Sequence, residues 1–309
     1  MISIIIPTLN EEKYLPLLLK SIKKQDFRDY EVIVADAGSK DATRRIAREF
    51  GAKVVKGGIP AAGRNAGAKA AKGDFLFFLD ADVVIPRHFL KNAYREMQRR
   101  YLDFATVEAK PLSDMVIDKI FHETFNLAVK LSQFHESHVS GVCILVTRRL
   151  FDRIEGFDES LKIAEDMDFA KRAGKFRPIR VLNSAHLMVS VRRMEKEGRA
   201  ALIRKYLFVE MYRLFKGEVR HDLVEYEFGN FDQKLPQKKS HMKILLEKIR
   251  KLNKDLNKAS SKAGSDGYKG ATMQENIQRI NKKAKSVVKS LTDVFSTKQK
   301  KKSNNKLYK

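Results

Sequence analysis

Four short apolar runs punctuate the first eighty residues, and the intervals between them are of helical length. Ile2–Ile6, Glu31–Ala35, Lys53–Val55 and Phe75–Leu79 read as buried strands, while Glu11–Lys24, Asp41–Phe50 and Ala61–Lys72 carry apolar residues at helical spacing. Strands that alternate with helices are joined by crossovers, so the expected fold class is α/β: a mostly parallel, Rossmann-like sheet with helices on its faces. Ligands of such sheets bind beyond the carboxyl ends of the strands, which makes the polar residues just after each run the first candidates for a site.

Three of the runs end in acids and turn formers: Pro7-Thr8-Leu9-Asn10-Glu11-Glu12, then Asp36-Ala37-Gly38-Ser39-Lys40-Asp41, then Asp80-Ala81-Asp82. Two carboxylates one residue apart at a rigid strand end suit a hard cation such as Mg²⁺ or Mn²⁺, which neutralises a diphosphate; alone, the pair is equally a solvated turn. Asp36 suits either a hydrogen bond from a base N–H or ribose hydroxyl, or an Asx-type turn into the next helix, and both stay open. In Ala61-Ala62-Gly63-Arg64-Asn65-Ala66-Gly67 the small residues permit close backbone approach. Arg64 either faces a phosphate or is a surface side chain on a tightly packed helix. The acids of Ala164-Glu165-Asp166-Met167-Asp168 open a helix, where the dipole favours them, and one of them is placed to act as a general base.

Further along, 111–135 reads as helical and then loop-like, Gly141–Thr147 as a strand, and Arg148–Ile154 as a short helix before the turn Glu155-Gly156-Phe157-Asp158. Glu165–Ala173 restarts a helix, Ile179–Leu182 is a late strand, and Met194–Phe215 is expected to be a long helix. The N-terminus reads as a first strand and not a signal peptide. No apolar run is long enough to span a bilayer. With Cys143 the single cysteine, a disulfide framework is excluded, and a cytoplasmic chain, soluble or peripheral on the cytoplasmic membrane face, is expected.

The motifs occur in order and their combination resembles the family-2 glycosyltransferases of the GT-A fold over roughly residues 1–200. The carriers are Ile-Pro-Thr-Leu-Asn-Glu-Glu, Val-Ala-Asp-Ala-Gly-Ser-Lys-Asp-Ala-Thr, Gly-Arg-Asn-Ala-Gly, Leu-Asp-Ala-Asp, Glu-Gly-Phe-Asp-Glu and Glu-Asp-Met-Asp. The resemblance implies an inverting transferase that uses a UDP- or GDP-sugar and Mn²⁺ or Mg²⁺, with a hydroxyl or lipid-phosphate acceptor. By position, Pro7, Leu9 and Glu11 would line the nucleoside pocket, Asp36 would hold the base, and Arg64, Asp80 and Ala81 would meet the nucleotide-sugar. Asp82, with Asp80, would ligate the metal, His186 lies where some relatives place a further ligand, and Asp166 would be the base with Glu165 beside it. Arg192 or Arg193 would meet the diphosphate or lie on a solvated face. The sequence contains no Trp, so it lacks the motif of the processive, polymer-forming members. Competing readings are a GT-A-fold adaptor without catalysis, and a sugar-phosphate nucleotidylyltransferase, whose Gly-rich first loop is missing here.

Charge divides the chain. Residues 234–309 hold 22 of the 62 Lys and Arg but 5 of the 38 Asp and Glu. This sets the expected organisation: a GT-A domain over 1–216, a linker over 217–240, and a basic helical extension over 241–309 with a disordered end. Two Lys-rich amphipathic segments there suit either an anionic membrane surface or a helical hairpin packed on itself or on the core. With few aromatics and no recognised module, the tail argues against a nucleic-acid partner. His122, His135 and His138 fall in the segment expected to face the acceptor, as a polar wall or plain surface, and Cys143 reads as a small core residue.

Overall fold

The N-terminal apolar run forms β1 (Ile2–Thr8), every residue of it buried. This follows from its place at the centre of a computed structural model that describes residues 1–133, 139, 141–161 and 163–202. On one side of β1 lie β2 (Tyr30–Asp36) and β3 (Lys53–Lys56), and on the other β4 (Phe75–Leu79), all parallel to it. Between them run the crossover helices α1 (Leu15–Lys23), α2 (Thr43–Glu49) and α3 (Pro60–Ala70), each within the segment expected from helical spacing. The remaining elements are β5 (Val83–Val84), α4 (Phe89–Arg99), β6 (Phe104–Pro111), α5 (Val116–Ser132), β7 (Cys143–Thr147), α6 (Arg148–Arg153), α7 (Glu165–Gly174), β8 (Arg180–Val189) and α8 (Arg192–Glu197).

One eight-stranded sheet results, in the order β3-β2-β1-β4-β7-β6-β8-β5. Six of its strands run the same way, as expected of a mostly parallel sheet, and β7 and β5 run against them. β7 runs antiparallel to both β4 and β6, and β5 antiparallel to β8, while β6 and β8 are parallel. β7 begins at the carboxyl edge of β4, where the Asp80 amide donates to the Val142 carbonyl at 3.3 Å, so it descends beside that strand. α4 and β6 also lie outside the expected element set. α4 carried the signal, with Phe89, Leu90, Ala93 and Met97 buried along one stripe.

Side chains alternate across the sheet and create two cores. Ile4, Ile6, Phe77 and Leu79 pack with α1 and α4 residues such as Leu18, Leu90 and Met97 on one face. Ile5, Leu76 and Phe78 pack on the other with Ala61, Ala68, Phe151, Phe157 and Phe169. On that second face α3 lies very close to β1, as the small residues around Arg64 suggested. A Cβ on Gly67 would stand 2.3 Å from Ile5 Cγ2. Gly67→Ala is therefore expected to cost about 1–3 kcal/mol through overpacking, read as a lower urea midpoint with an unchanged slope.

The described residues 1–113 and those from 128 onward form one compact unit, and 114–127 belong to a second. Within that second segment, His122 Nδ1 donates to the Asp118 carbonyl of its own helix at 2.8 Å. No described helix is long and apolar enough to cross a membrane. The expected long helix from Met194 is broken at Gly198, where φ is +82°. Its continuation, the linker, the basic extension, His135 and His138 lie outside the described residues.

Candidate active site

The carboxyl edge of the sheet gathers five acids around two arginines. Glu11 follows β1, Asp80 and Asp82 follow β4, and Glu165 and Asp166 open α7. Arg64 rises from the second turn of α3 and is 3% exposed. Its Nη1 meets Glu165 Oε1 at 2.6 Å, and its Nη2 meets Asp80 Oδ1 and the Gly141 carbonyl at 3.2 Å each. Its Nε is buried without a hydrogen-bond partner. Arg192, at the start of α8, makes the second clamp. It donates through Nη1 and Nη2 to both oxygens of Glu11, at 2.7 and 2.6 Å, and through Nε to Asp82 Oδ2 at 2.9 Å. Its guanidinium also lies 4.3 Å from the Tyr14 ring centroid.

Asp166 is held differently from its neighbour. Its Oδ2 accepts from the Gly141 amide at 2.6 Å and its Oδ1 from the Met167 amide at 2.9 Å. Gly141 has to be small: a Cβ there would lie 2.7 Å from Arg64 Nη2 and 3.2 Å from Asp166 Oδ2. The residue before the acids, Ala164, sits in the left-handed region at φ +61°, a strained conformation for a side chain with a Cβ. Beneath α7, Phe157 and Phe169 stack at 4.3 Å, fixing the helix that carries the acids. Asn65 pins the preceding turn, accepting from the Phe157 amide and donating to its carbonyl.

Five carboxylates against two guanidiniums leave an excess of negative charge, and the acids respond. Asp80 is pushed up to about 7, first by desolvation although 35% of its side chain meets solvent, then by Asp82, Glu165 and Asp166; Arg64 pulls the other way. Asp166 rises to about 6 by burial and the nearby Glu165, opposed by Arg64 and its two amide donors. Glu11 is raised by burial despite Arg192.

The cluster unites most of the residues singled out from sequence. Asp80, Asp82, Glu165, Asp166, Arg64 and Glu11 converge, with Pro7 buried and Leu9 half-buried on the adjoining β1 end. Ala81 turns its side chain into the core. Arg64 is neither a surface residue nor a free phosphate contact, since its guanidinium is used to join Asp80 to Glu165. Asp36 stands one strand away and forms the turn: Oδ1 accepts from the Gly38 and Ser39 amides and Oδ2 from the Ser39 and Thr8 hydroxyls. With four donors and 2% side-chain exposure, it has no lone pair turned to a base in this arrangement. His186 is not brought to the acids. It lies opposite Glu108 in the β6–β8 register, four residues before Ser190, whose amide donates to the Asp82 carbonyl. Burial and Lys110 lower its pKa. Cys143 is a buried strand residue whose thiol burial raises. Sequence reasoning missed Gly141 and the part played by Asn65, and it placed Arg192 at the diphosphate or on a solvated face, whereas its guanidinium is buried against Glu11 and Asp82.

A divalent cation fits this donor set on the charge excess around Asp80 and Asp82. No group of three His, Cys, Asp or Glu suited to a metal occurs among the described residues.

An α/β sheet with acids at the carboxyl edge of its parallel half and a helix opposite that opens on two further acids fits the GT-A class of folds. Residues 3–154 match the model of glycosyl transferase family 2, and the chain carries a domain of that family. Over 229 residues it is 31% identical to poly(ribitol-phosphate) beta-N-acetylglucosaminyltransferase TarS of Staphylococcus aureus, covering 70% of this chain and 40% of that protein. The chain thus spans well under half the length of that relative. The crystal structure of S. aureus TarS in complex with UDP-GlcNAc is similar at a TM-score of 0.51 and 29% identity, covering 61% of this chain and 58% of that one. A shorter stretch of 91 residues is 47% identical to 4,4'-diaponeurosporenoate glycosyltransferase of Staphylococcus haemolyticus, over 26% of this chain and 24% of that protein.

Proposed function

We propose that the chain is an inverting, non-processive glycosyltransferase that moves one sugar from a UDP- or GDP-sugar to a hydroxyl or lipid-phosphate acceptor. The observation that carries this reading is the two-arginine, five-carboxylate cluster at the sheet edge. The relation to TarS, solved with UDP-GlcNAc, favours UDP as the nucleotide.

In this reading Asp80 and Asp82 hold Mg²⁺ or Mn²⁺, which supplies neutralisation of the diphosphate as it departs. Asp166 takes the proton of the acceptor hydroxyl while the acceptor oxygen attacks the anomeric carbon from the face opposite the diphosphate. Glu165 is committed to an ion pair with Arg64 at 2.6 Å and so is assigned a supporting role. Asp166 is bonded only by neutral amides and its pKa, about 6, lies close to working pH. Arg64 keeps Glu165 and Asp80 in fixed relation, so the donor side and the base side of the cleft move together. Glu11, Pro7 and Leu9 border the nucleoside, and Asp36 contributes by shaping the turn beside it.

A thermal-shift screen of nucleotide-sugars with Mn²⁺ tests the donor. UDP-sugars at a hundredfold excess over Kd are expected to stabilise the protein by about 2.7 kcal/mol. Asp82→Ala should remove both this shift and all metal-dependent turnover. Full turnover in that variant would overturn the metal assignment, and a screen in which no nucleotide-sugar binds would favour an adaptor that keeps the fold without catalysis.

A further inference from the structure

Arg192 occupies the place where a cation would be most attracted. It lies beyond the residues matched by the family model, 3–154, yet its guanidinium makes three charged hydrogen bonds inside the acid cluster at 9% side-chain exposure. One of these falls on Asp82. The other two grip Glu11 in a bidentate fork, and the Tyr14 ring closes the face at 4.3 Å. This is a complete coordination of a fixed cation: both Glu11 oxygens and one Asp82 oxygen are already compensated by an internal positive charge.

A guanidinium at 2.9 Å from Asp82 Oδ2 and a divalent ion held by the same carboxylate repel one another. Both cannot neutralise Asp82 fully at once. Asp82 therefore has two partners to choose between, and the chain carries one of them on the segment that immediately follows β8. That segment is joined to Asp82 a second time, because the Ser190 amide donates to the Asp82 carbonyl at 3.0 Å. Release of the side chain from Asp82 leaves this backbone link and the Glu11 fork in place, so Arg192 has a defined position to withdraw to.

We propose that Arg192 is a positioning residue that stands in for the cation on Asp82 when no donor is bound, and that it yields Asp82 as cation and nucleotide diphosphate enter together. The inference rests on the assignment of Asp80 and Asp82 as the cation-holding pair. Its consequence is an ordered preference: the cation alone binds weakly against the internal guanidinium, while the diphosphate, which adds negative charge of its own, tips the balance. Tyr14 and Glu11 keep the displaced guanidinium at the rim of the site.

Mn²⁺ affinity measured by electron paramagnetic resonance on the donor-free full chain tests this without recourse to turnover. Arg192→Gln is expected to bind Mn²⁺ about tenfold more tightly than the parent, because a unit charge beside Asp82 is removed. Arg193→Gln, one residue along and paired with Glu197 at 3.7 Å, makes the same charge change and should shift the affinity less than about twofold at ordinary salt. Equal Mn²⁺ affinity for parent and Arg192→Gln would overturn the proposal and leave the cation assignment standing. Absence of Mn²⁺ binding in both would overturn the two together. Because Arg192→Gln leaves two acids unpaired and is exposed to misfolding, an intact clamp gives a second measurement. The chain has no Trp, so Tyr14→Trp places a single indole under the guanidinium. Its emission should change on adding Mg²⁺ with UDP, and the change should vanish when Asp82→Asn is added. Emission that stays constant in Tyr14→Trp, or that changes equally in the double variant, would sink the idea.

Discussion

Asp166→Asn is expected to lower kcat by about 10²–10⁴-fold while leaving donor-induced stabilisation intact. The amide keeps the size of the carboxylate, but its single oxygen can accept from only one of the Gly141 and Met167 amides, so a small loss of stability accompanies the change. What is lost is the ability to take a proton. Glu165→Gln should behave differently, because Glu165 is the partner of the buried Arg64. Its loss leaves a buried guanidinium under-compensated and should lower stability as well as rate. Equal losses of kcat in the two variants, with no difference in thermal midpoint, would count against Asp166 as the base.

The pH profile gives an independent reading of the same group. A general base works deprotonated, so kcat/KM should fall as pH drops through the free-enzyme values of the acids required. Those are about 7 for Asp80 and about 6 for Asp166. Saturating Mg²⁺ holds Asp80 ionised and should move the acid limb down towards 6, leaving Asp166 to set it. The two acids influence one another, so the limb belongs to the pair until the cation separates them.

Much of the fold was legible because its first half obeys simple rules. Short strands of four to seven residues separated by helices specify a parallel sheet, and β1 to β4 appear where their hydrophobic runs place them. The second half escapes that logic. β7 returns antiparallel to β4, and nothing in Cys143–Thr147 distinguishes a descending strand from an ascending one. The acids were legible because buried strands have no structural use for carboxylates at their ends. Their partners were not. Arg192 is 181 residues from Glu11 and 110 from Asp82, separations that local pattern does not bridge. Gly141 is required only by the guanidinium and carboxylate that press against it, and a single glycine before a strand is ordinary turn chemistry. At Asp36 both readings its neighbours supported meet the structure: three of its four hydrogen bonds come from the Gly38-Ser39 turn and the fourth from the Thr8 hydroxyl of β1.

The acid cluster also stores instability, and Asp80 shows how much. A carboxyl whose folded pKa is raised above its unfolded value favours the folded state in its protonated form. Its contribution is fully present below the unfolded value of 3.8 and is lost as pH rises through about 7. A shift of that size corresponds to about 4 kcal/mol at face value, reduced to roughly 2 kcal/mol because a third of the Asp80 side chain meets solvent. The cation-free protein should therefore be more stable at pH 5 than at pH 8. Asp80→Asn should remove most of that difference, raising the midpoint at pH 8 by about 4–8 °C while abolishing turnover. Mg²⁺ with UDP should stabilise the parent at pH 8 and leave Asp80→Asn almost unmoved, since the cation compensates a charge the variant lacks. A parent whose stability rises steadily from pH 5 to 8 would mean that Arg64 alone neutralises Asp80, and that the cleft holds no surplus of negative charge for a cation to answer.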